Sequence, residues 1–145
     1  MTRDAVPPVL ACRGLTVQVP GRELVCGLDA LFPAGLVVAV LGCNGAGKSS
    51  LLHVLAGIAT PAAGEVLLGP QPLAAWPRRE RARRQELLTQ AIEDPFPGTA
   101  LDSALVGRHP HLGFWQWESD ADRAVARDCL AAMDLAGLEA RDVTT

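Results

Sequence analysis

Apolar residues fall along the chain in blocks of changing period. From Val9 to Val19 they alternate with polar ones, Pro20-Gly21 supplies a turn, and Leu24 to Phe32 forms a second apolar stretch, which together predict a β hairpin. Pro33-Ala34-Gly35 turns the chain into LVVAVL, Leu36 to Leu41. That run is uninterrupted and carries three valines, the pattern of a strand buried on both faces. Ser50 to Ala56 are good helix formers, with Gly57 placed to close the helix at C′. Thr60 to Gly64 reads as a loop and Glu65 to Leu68 as a short strand ended by Gly69-Pro70. Leu73 to Arg84 has helix-forming composition, and Leu87 to Thr89 reads as a further short strand running into Gln90. After the loop of Pro95, Pro97 and Gly98, Thr99 is the cap and Asp102 the first-turn acid of a helix reaching about Val106. Ser119 caps a last helix from Asp120 to about Leu135, with Val125, Cys129, Leu130 and Met133 on one face and Gly137 as its stop.

Composition narrows this picture. At 145 residues, 49% of them apolar, the chain is long enough for a real core and too apolar to be disordered. A net charge of −3 argues against nucleic acid as a partner. Cys12, Cys26, Cys43 and Cys129 are widely spaced with no C-x-x-C pair, which suggests neither a zinc site nor a disulfide framework and fits a reducing cytosol. No apolar run approaches the ~20 residues that cross a bilayer. Asp4, Pro7 and Pro8 interrupt what a secretory leader would need as a continuous apolar core.

The strongest chemical signal lies between the apolar run and the first helix. Gly42-Cys43-Asn44-Gly45-Ala46-Gly47-Lys48-Ser49 fits G-x-x-x-x-G-K-[ST]. Glycines let the backbone wrap a phosphate closely, and the following helix turns its unsatisfied N–H groups and positive dipole end to the same point. Lys48 is placed for the β- and γ-phosphates and the Ser49 hydroxyl for Mg²⁺. Elsewhere the signals are weaker. Arg78, Arg79, Arg81, Arg83 and Arg84 read as a solvated helix face diluted by Glu80 and Glu86. His109 and His111 lack the further ligands of a metal site, and Trp115 and Trp117 read as packing or partner contacts.

Taken together, LGCNGAGKSSLL, LAGIATPAAGEVLLG, the strand ending in Gln90 and the helical segment resemble the N-terminal part of an ATP-binding cassette (ABC) transporter ATPase over nearly the whole chain. VGRHPHLG and ARDVTT are similar to the importer subgroup serving iron–siderophore, haem and cobalamin permeases. The resemblance implies an α/β fold: a P-loop NTPase core, an N-terminal antiparallel β subdomain, part of a helical subdomain and an incomplete sheet. It divides the chain at 1–35, 36–98 and 99–145.

The resemblance implies ATP and Mg²⁺ as cofactors, bound by Gly42 to Ser49 and by Ser50. It makes Lys48 and Gln90 the catalytic positions and gives Ser49 and Gln90 the metal. Val19 falls where the family usually stacks an aromatic on adenine, and Cys43 where proline is common. No apolar strand ending in Asp lies between Ser50 and Thr145, the signature motif and switch histidine have no match, and His53 fits neither. The chain is therefore expected to be truncated before the signature, binding ATP without turning it over alone. Implied partners are transmembrane permease subunits, through Gln90 and the Thr99–Trp117 region, and a second ATPase copy head to tail. A periplasmic solute-binding protein is an indirect partner, and the place is the cytoplasmic face of the inner membrane. A small P-loop metabolite kinase, with the arginine cluster as its lid, and a non-catalytic nucleotide-binding remnant are the alternatives.

Overall fold

The computed structural model describes residues 10–89 and 98–143, and it divides into two compact units, Met1–Leu87 and Leu88–Thr145. Gln90 and the loop prolines Pro95 and Pro97 lie outside the described residues.

In the first unit, β1 (Leu10–Val19) and β2 (Arg22–Phe32) form the expected antiparallel hairpin, with Val19 opposite Arg22 across Pro20-Gly21. Proline fixes its own φ and Gly21 takes φ 75°, the combination a tight reversal requires. β3 (Ala63–Leu68) pairs antiparallel with the other edge of β1, and β4 (Gln71–Pro72) pairs with β3, giving the order β2-β1-β3-β4. Pairing of β1 with β3 shifts between Arg13 and Thr16. There Gly64 lies so close to the Gly14 carbonyl that any Cβ would collide with backbone.

Helix α1 (Lys48–Leu55) lays Leu51, Val54 and Leu55 on the sheet residues Cys12, Leu15, Val17, Val66 and Leu68. Leu15 is fully enclosed, and burying such a side chain stabilises by roughly 1.5–3 kcal/mol. α1 ends as the sequence reading anticipates. Gly57 takes φ 67°, its N–H reaches the Val54 carbonyl at 2.9 Å and the Ile58 N–H reaches His53 at 2.9 Å, so two otherwise orphaned carbonyls are satisfied.

Three expectations for this unit fail. Leu36 to Leu41 forms no strand: Val37 is fully exposed, Leu41 88% exposed, and the run has no pairing partner among the described residues. Leu87 to Thr89 likewise forms no strand, with Leu88 exposed. A strand exists only as part of a ladder, and no described strand lies beside either segment. Within the first unit a cavity of about 270 Å³ is lined by Leu36, Val38, Val40, Leu52 and Gln85, and the buried Gln85 Oε1 has no hydrogen-bond partner among the described residues. The third failure is the helix over Leu73 to Arg84, which is broken by Pro77 into a 3₁₀ turn, Leu73–Ala75, and a short α2, Arg78–Ala82. The arginines there serve the fold. Arg83 and Arg84 pair with Glu80 at 2.9 and 3.1 Å, and Arg84 stacks 4.5 Å from the centre of the Trp76 ring.

The second unit is a helix pair, α3 (Ala100–Val106) and α4 (Asp120–Ala132), packed through Leu105, Ala126 and Leu130. Both helices open with a capping box: Thr99 with Asp102, and Ser119 with Asp122. A bridge between Thr99 and Asp142 and a bond from the Val143 N–H to the Gly98 carbonyl tie the unit's ends together. α4 stops three residues early, because Asp134 takes φ 59° and closes the helix in the place expected of Gly137. Its buried stripe is Asp122, Ala126 and Leu130; Val125, Cys129 and Met133, expected to share a face with Leu130, are exposed. Side chains of Asp122 and Arg108 decide this rotation. The Arg108 Nε donates to Asp122 Oδ1 at 2.9 Å and turns the capping acid inward.

Candidate phosphate-binding site

Gly42 to Lys48 leads into α1 through a turn in which the Ala46 N–H meets the Cys43 carbonyl at 3.2 Å. Gly47 is the N-cap, at φ 93°, and a Cβ there would lie 2.8 Å from the Leu24 Cβ. Only glycine meets both demands. The contact also presses the turn end of the β1–β2 hairpin against the loop, two strand residues from Arg22, the partner of Val19. Val19 itself is the last residue of β1 and 37% exposed.

Lys48 curls back over the loop. Its Nζ donates to the carbonyls of Gly42 at 2.8 Å and Cys43 at 2.9 Å. Two carbonyls hold the ammonium in one place and leave its third hydrogen for another acceptor. Ser49 is exposed and Ser50 half-buried, both in the first turn of α1, while Cys43, Asn44, Gly45 and Ala46 are exposed along the loop.

What sets α1 apart is its bare N-terminus. α3 and α4 each satisfy their first N–H groups with a Ser or Thr oxygen and set an aspartate beside them. α1 has no side-chain cap and no acid in its first turn. The first N–H groups of a helix have no intrahelical partner, and here they coincide with the positive dipole end and the Lys48 ammonium. The donor set suits a polyphosphate, and the Ser49 hydroxyl is a hard oxygen ligand of the kind Mg²⁺ takes. The loop, Lys48, Ser49 and Ser50 lie together at the start of α1; Gln90 lies outside the described residues. What the sequence reading missed is Leu24, whose position against Gly47 depends on hairpin register and leaves no local signature.

The chain is similar to known proteins over most of its length. The sequence profile described as ABC transporter matches residues 26–145. A hemin import ATP-binding protein HmuV from Myxococcus xanthus is 42% identical over 137 residues, 94% of this chain and 50% of the relative. The protein of the same name from Deinococcus radiodurans is 41% identical over 141 residues, 97% of this chain and 52% of its own length. This chain thus spans about half the length of the curated relatives it matches. Among solved structures, an inward-facing putative metal-chelate type ABC transporter superposes with a TM-score of 0.72 at 26% identity, over 94% of this chain and 50% of that one. A nucleotide-free ATP-binding cassette from an ABC transporter gives 0.76 at 19% identity, over 92% and 57%, a likeness of fold. No helix among the described residues is long and apolar enough to cross a membrane.

Proposed function

We propose, since this chain belongs to the ABC transporter family, that it is the MgATP-binding N-terminal portion of an importer's ATPase subunit. The observation that carries the reading is the uncapped start of α1 with the Lys48 ammonium held beside it, a donor set that suits a polyphosphate. Gly42 to Ser50 wrap the phosphates; Lys48 contacts the β- and γ-oxygens; Ser49, with Gln90, takes the Mg²⁺; Val19 lies under the adenine. Bound Mg²⁺ supplies charge neutralisation at the transferring phosphoryl group. These residues suffice for binding. Hydrolysis draws on a carboxylate-bearing strand and on a signature motif from a partner cassette, so turnover belongs to a longer assembly.

The same reading gives residues 1–35 as β subdomain, 36–98 as P-loop core and 99–145 as helical subdomain. It gives permease subunits docked at Gln90 and the Thr99–Trp117 region, a second cassette head to tail, a solute-binding protein outside, and work at the cytoplasmic face of the inner membrane. The solute class is an iron chelate, haem or cobalamin. The Myxococcus and Deinococcus relatives, both hemin import ATP-binding proteins, favour haem.

Lys48→Ala tests the site, because it removes the cation of the loop. Titration of a fluorescent ATP analogue in Mg²⁺ should give saturable binding to the parent chain and none to the variant. Equal affinity would overturn the assignment.

A further inference from the structure

At the end of α1 remote from the phosphate loop, the first unit holds a cavity of about 500 Å³. It is bounded by the close of that helix, the loop into β3, the start of β3 and the segment that follows β4. Its walls are mainly apolar, with Val54, Ala59, Pro61, Val66, Pro72 and Leu73 among them. Cavities that hold small molecules run roughly 300–1,000 Å³, mostly apolar, with a few polar groups that set the orientation of the ligand. One cation stands in this wall, Arg81 of α2.

Arg81 is half-buried, and the missing side chain of Gly57 makes room for it: a Cβ there would lie 2.7 Å from the Arg81 Nη1 and 2.9 Å from the Leu73 Cδ2. A guanidinium at a helix C-terminus can cap the last carbonyls. Here those carbonyls already have donors. Leu52 accepts from the Ala56 N–H at 2.8 Å, His53 from the Ile58 N–H and Val54 from the Gly57 N–H at 2.9 Å, and Leu55 from the Gln85 Nε2 at 2.7 Å. Nor does an acid neutralise the charge. Glu80 pairs with Arg83 and Arg84, and Glu65, which also lines the cavity, reaches Arg13 at 3.8 Å. The Arg81 guanidinium thus has no hydrogen-bonding or ionic partner among the described residues. Its planar fork of donors matches a carboxylate, and the field around it favours an anion, since Met1–Leu87 carries nine basic and six acidic side chains.

We infer that this cavity binds a small organic anion, a single carboxylate on an apolar body, with the carboxylate forked on Arg81 and the body against Val54, Val66 and Leu73. One cation matches one negative charge. A doubly charged phosphate group would be left half-neutralised among apolar walls, at a cost in desolvation. No lining residue belongs to Gly42–Ser50, so the site goes beyond the nucleotide reading and does not depend on it.

The test is equilibrium dialysis of the whole chain against naphthalene-2-carboxylate and naphthalene-2-carboxamide, which share a shape and differ in charge. The carboxylate should bind about tenfold or more tightly than the amide, and added salt should narrow the difference. Arg81→Gln should bring the carboxylate down to the affinity of the amide and leave the amide unchanged, a pattern that loss of the fold would not give. Ala74→Phe, at an exposed lining residue, fills the cavity with the charge intact and should weaken both probes. Four results would each overturn the inference: no preference for the carboxylate in the parent chain, full carboxylate affinity in Arg81→Gln, unchanged binding to Ala74→Phe, or displacement of the carboxylate by an equal concentration of MgATP or inorganic phosphate.

Discussion

Gly47 meets two constraints at once, a left-handed φ and a Leu24 side chain whose Cβ would lie 2.8 Å from any added Cβ. Gly47→Ala should therefore destabilise the first unit by ~1–3 kcal/mol and weaken nucleotide binding, because the new methyl must push the hairpin off the loop. Thermal melts of the two proteins beside an ATP-analogue titration check this, and an unchanged melt would mean that the hairpin tip yields freely. Val19→Tyr tests the other side of the same contact. A ring at the end of β1 should tighten ATP by about five- to a hundredfold over valine, with no gain for inorganic triphosphate. At this scale the loop chemistry was legible in the sequence, since Gly42 to Ser49 is a local motif read by spacing alone. Leu24 was not, because its contact is made by register rather than by neighbourhood.

The capped starts of α3 and α4 were the most legible elements. Thr99 with Asp102 and Ser119 with Asp122 follow from short-range hydrogen bonds that need no tertiary partner. The buried face of α4 was not legible, because Val125, Cys129 and Met133 fit the helical period as well as Ala126 and Leu130 do, and the Arg108–Asp122 pair chose between them. Ser119→Ala should cost the unit ~1 kcal/mol, seen as faster amide exchange at the start of α4. Hydrogen bonds from the Ser119 side chain and backbone, with the Arg108 guanidinium, hold the Asp122 carboxyl down to about 2 from its ordinary 3.8. A carboxyl lowered in the folded state contributes stability above its unfolded pKa and loses it as pH falls towards the folded one. Helical signal should accordingly drop between about pH 4 and pH 2, and Asp122→Asn should flatten that step. A step of the same size in the variant would assign it to other carboxyls.

As a whole molecule the chain holds two well-made pieces and one stretch that fits neither. Leu36 to Leu41 reads as a buried strand because its composition is that of one; the ladder that would bury it is long-range information, absent from any local window. With Leu36, Val37, Val38 and Leu41 in water, the chain should melt without a sharp cooperative transition or associate with itself as concentration rises. Calorimetry and light scattering across a concentration series decide this, and a sharp monomeric melt would show that the run finds cover.

The bare run also sets a clock for synthesis of a polypeptide as long as the matched relatives. Translation at roughly 5–20 residues per second would leave Val37 waiting on the order of ten seconds, on the ribosome, while a second stretch of similar length emerged. Throughout that interval the phosphate loop would hang from an uncovered apolar ribbon, open to holding chaperones and to peptidases, so the yield of finished subunit would be set by how quickly that ribbon is covered rather than by how stable it becomes afterwards.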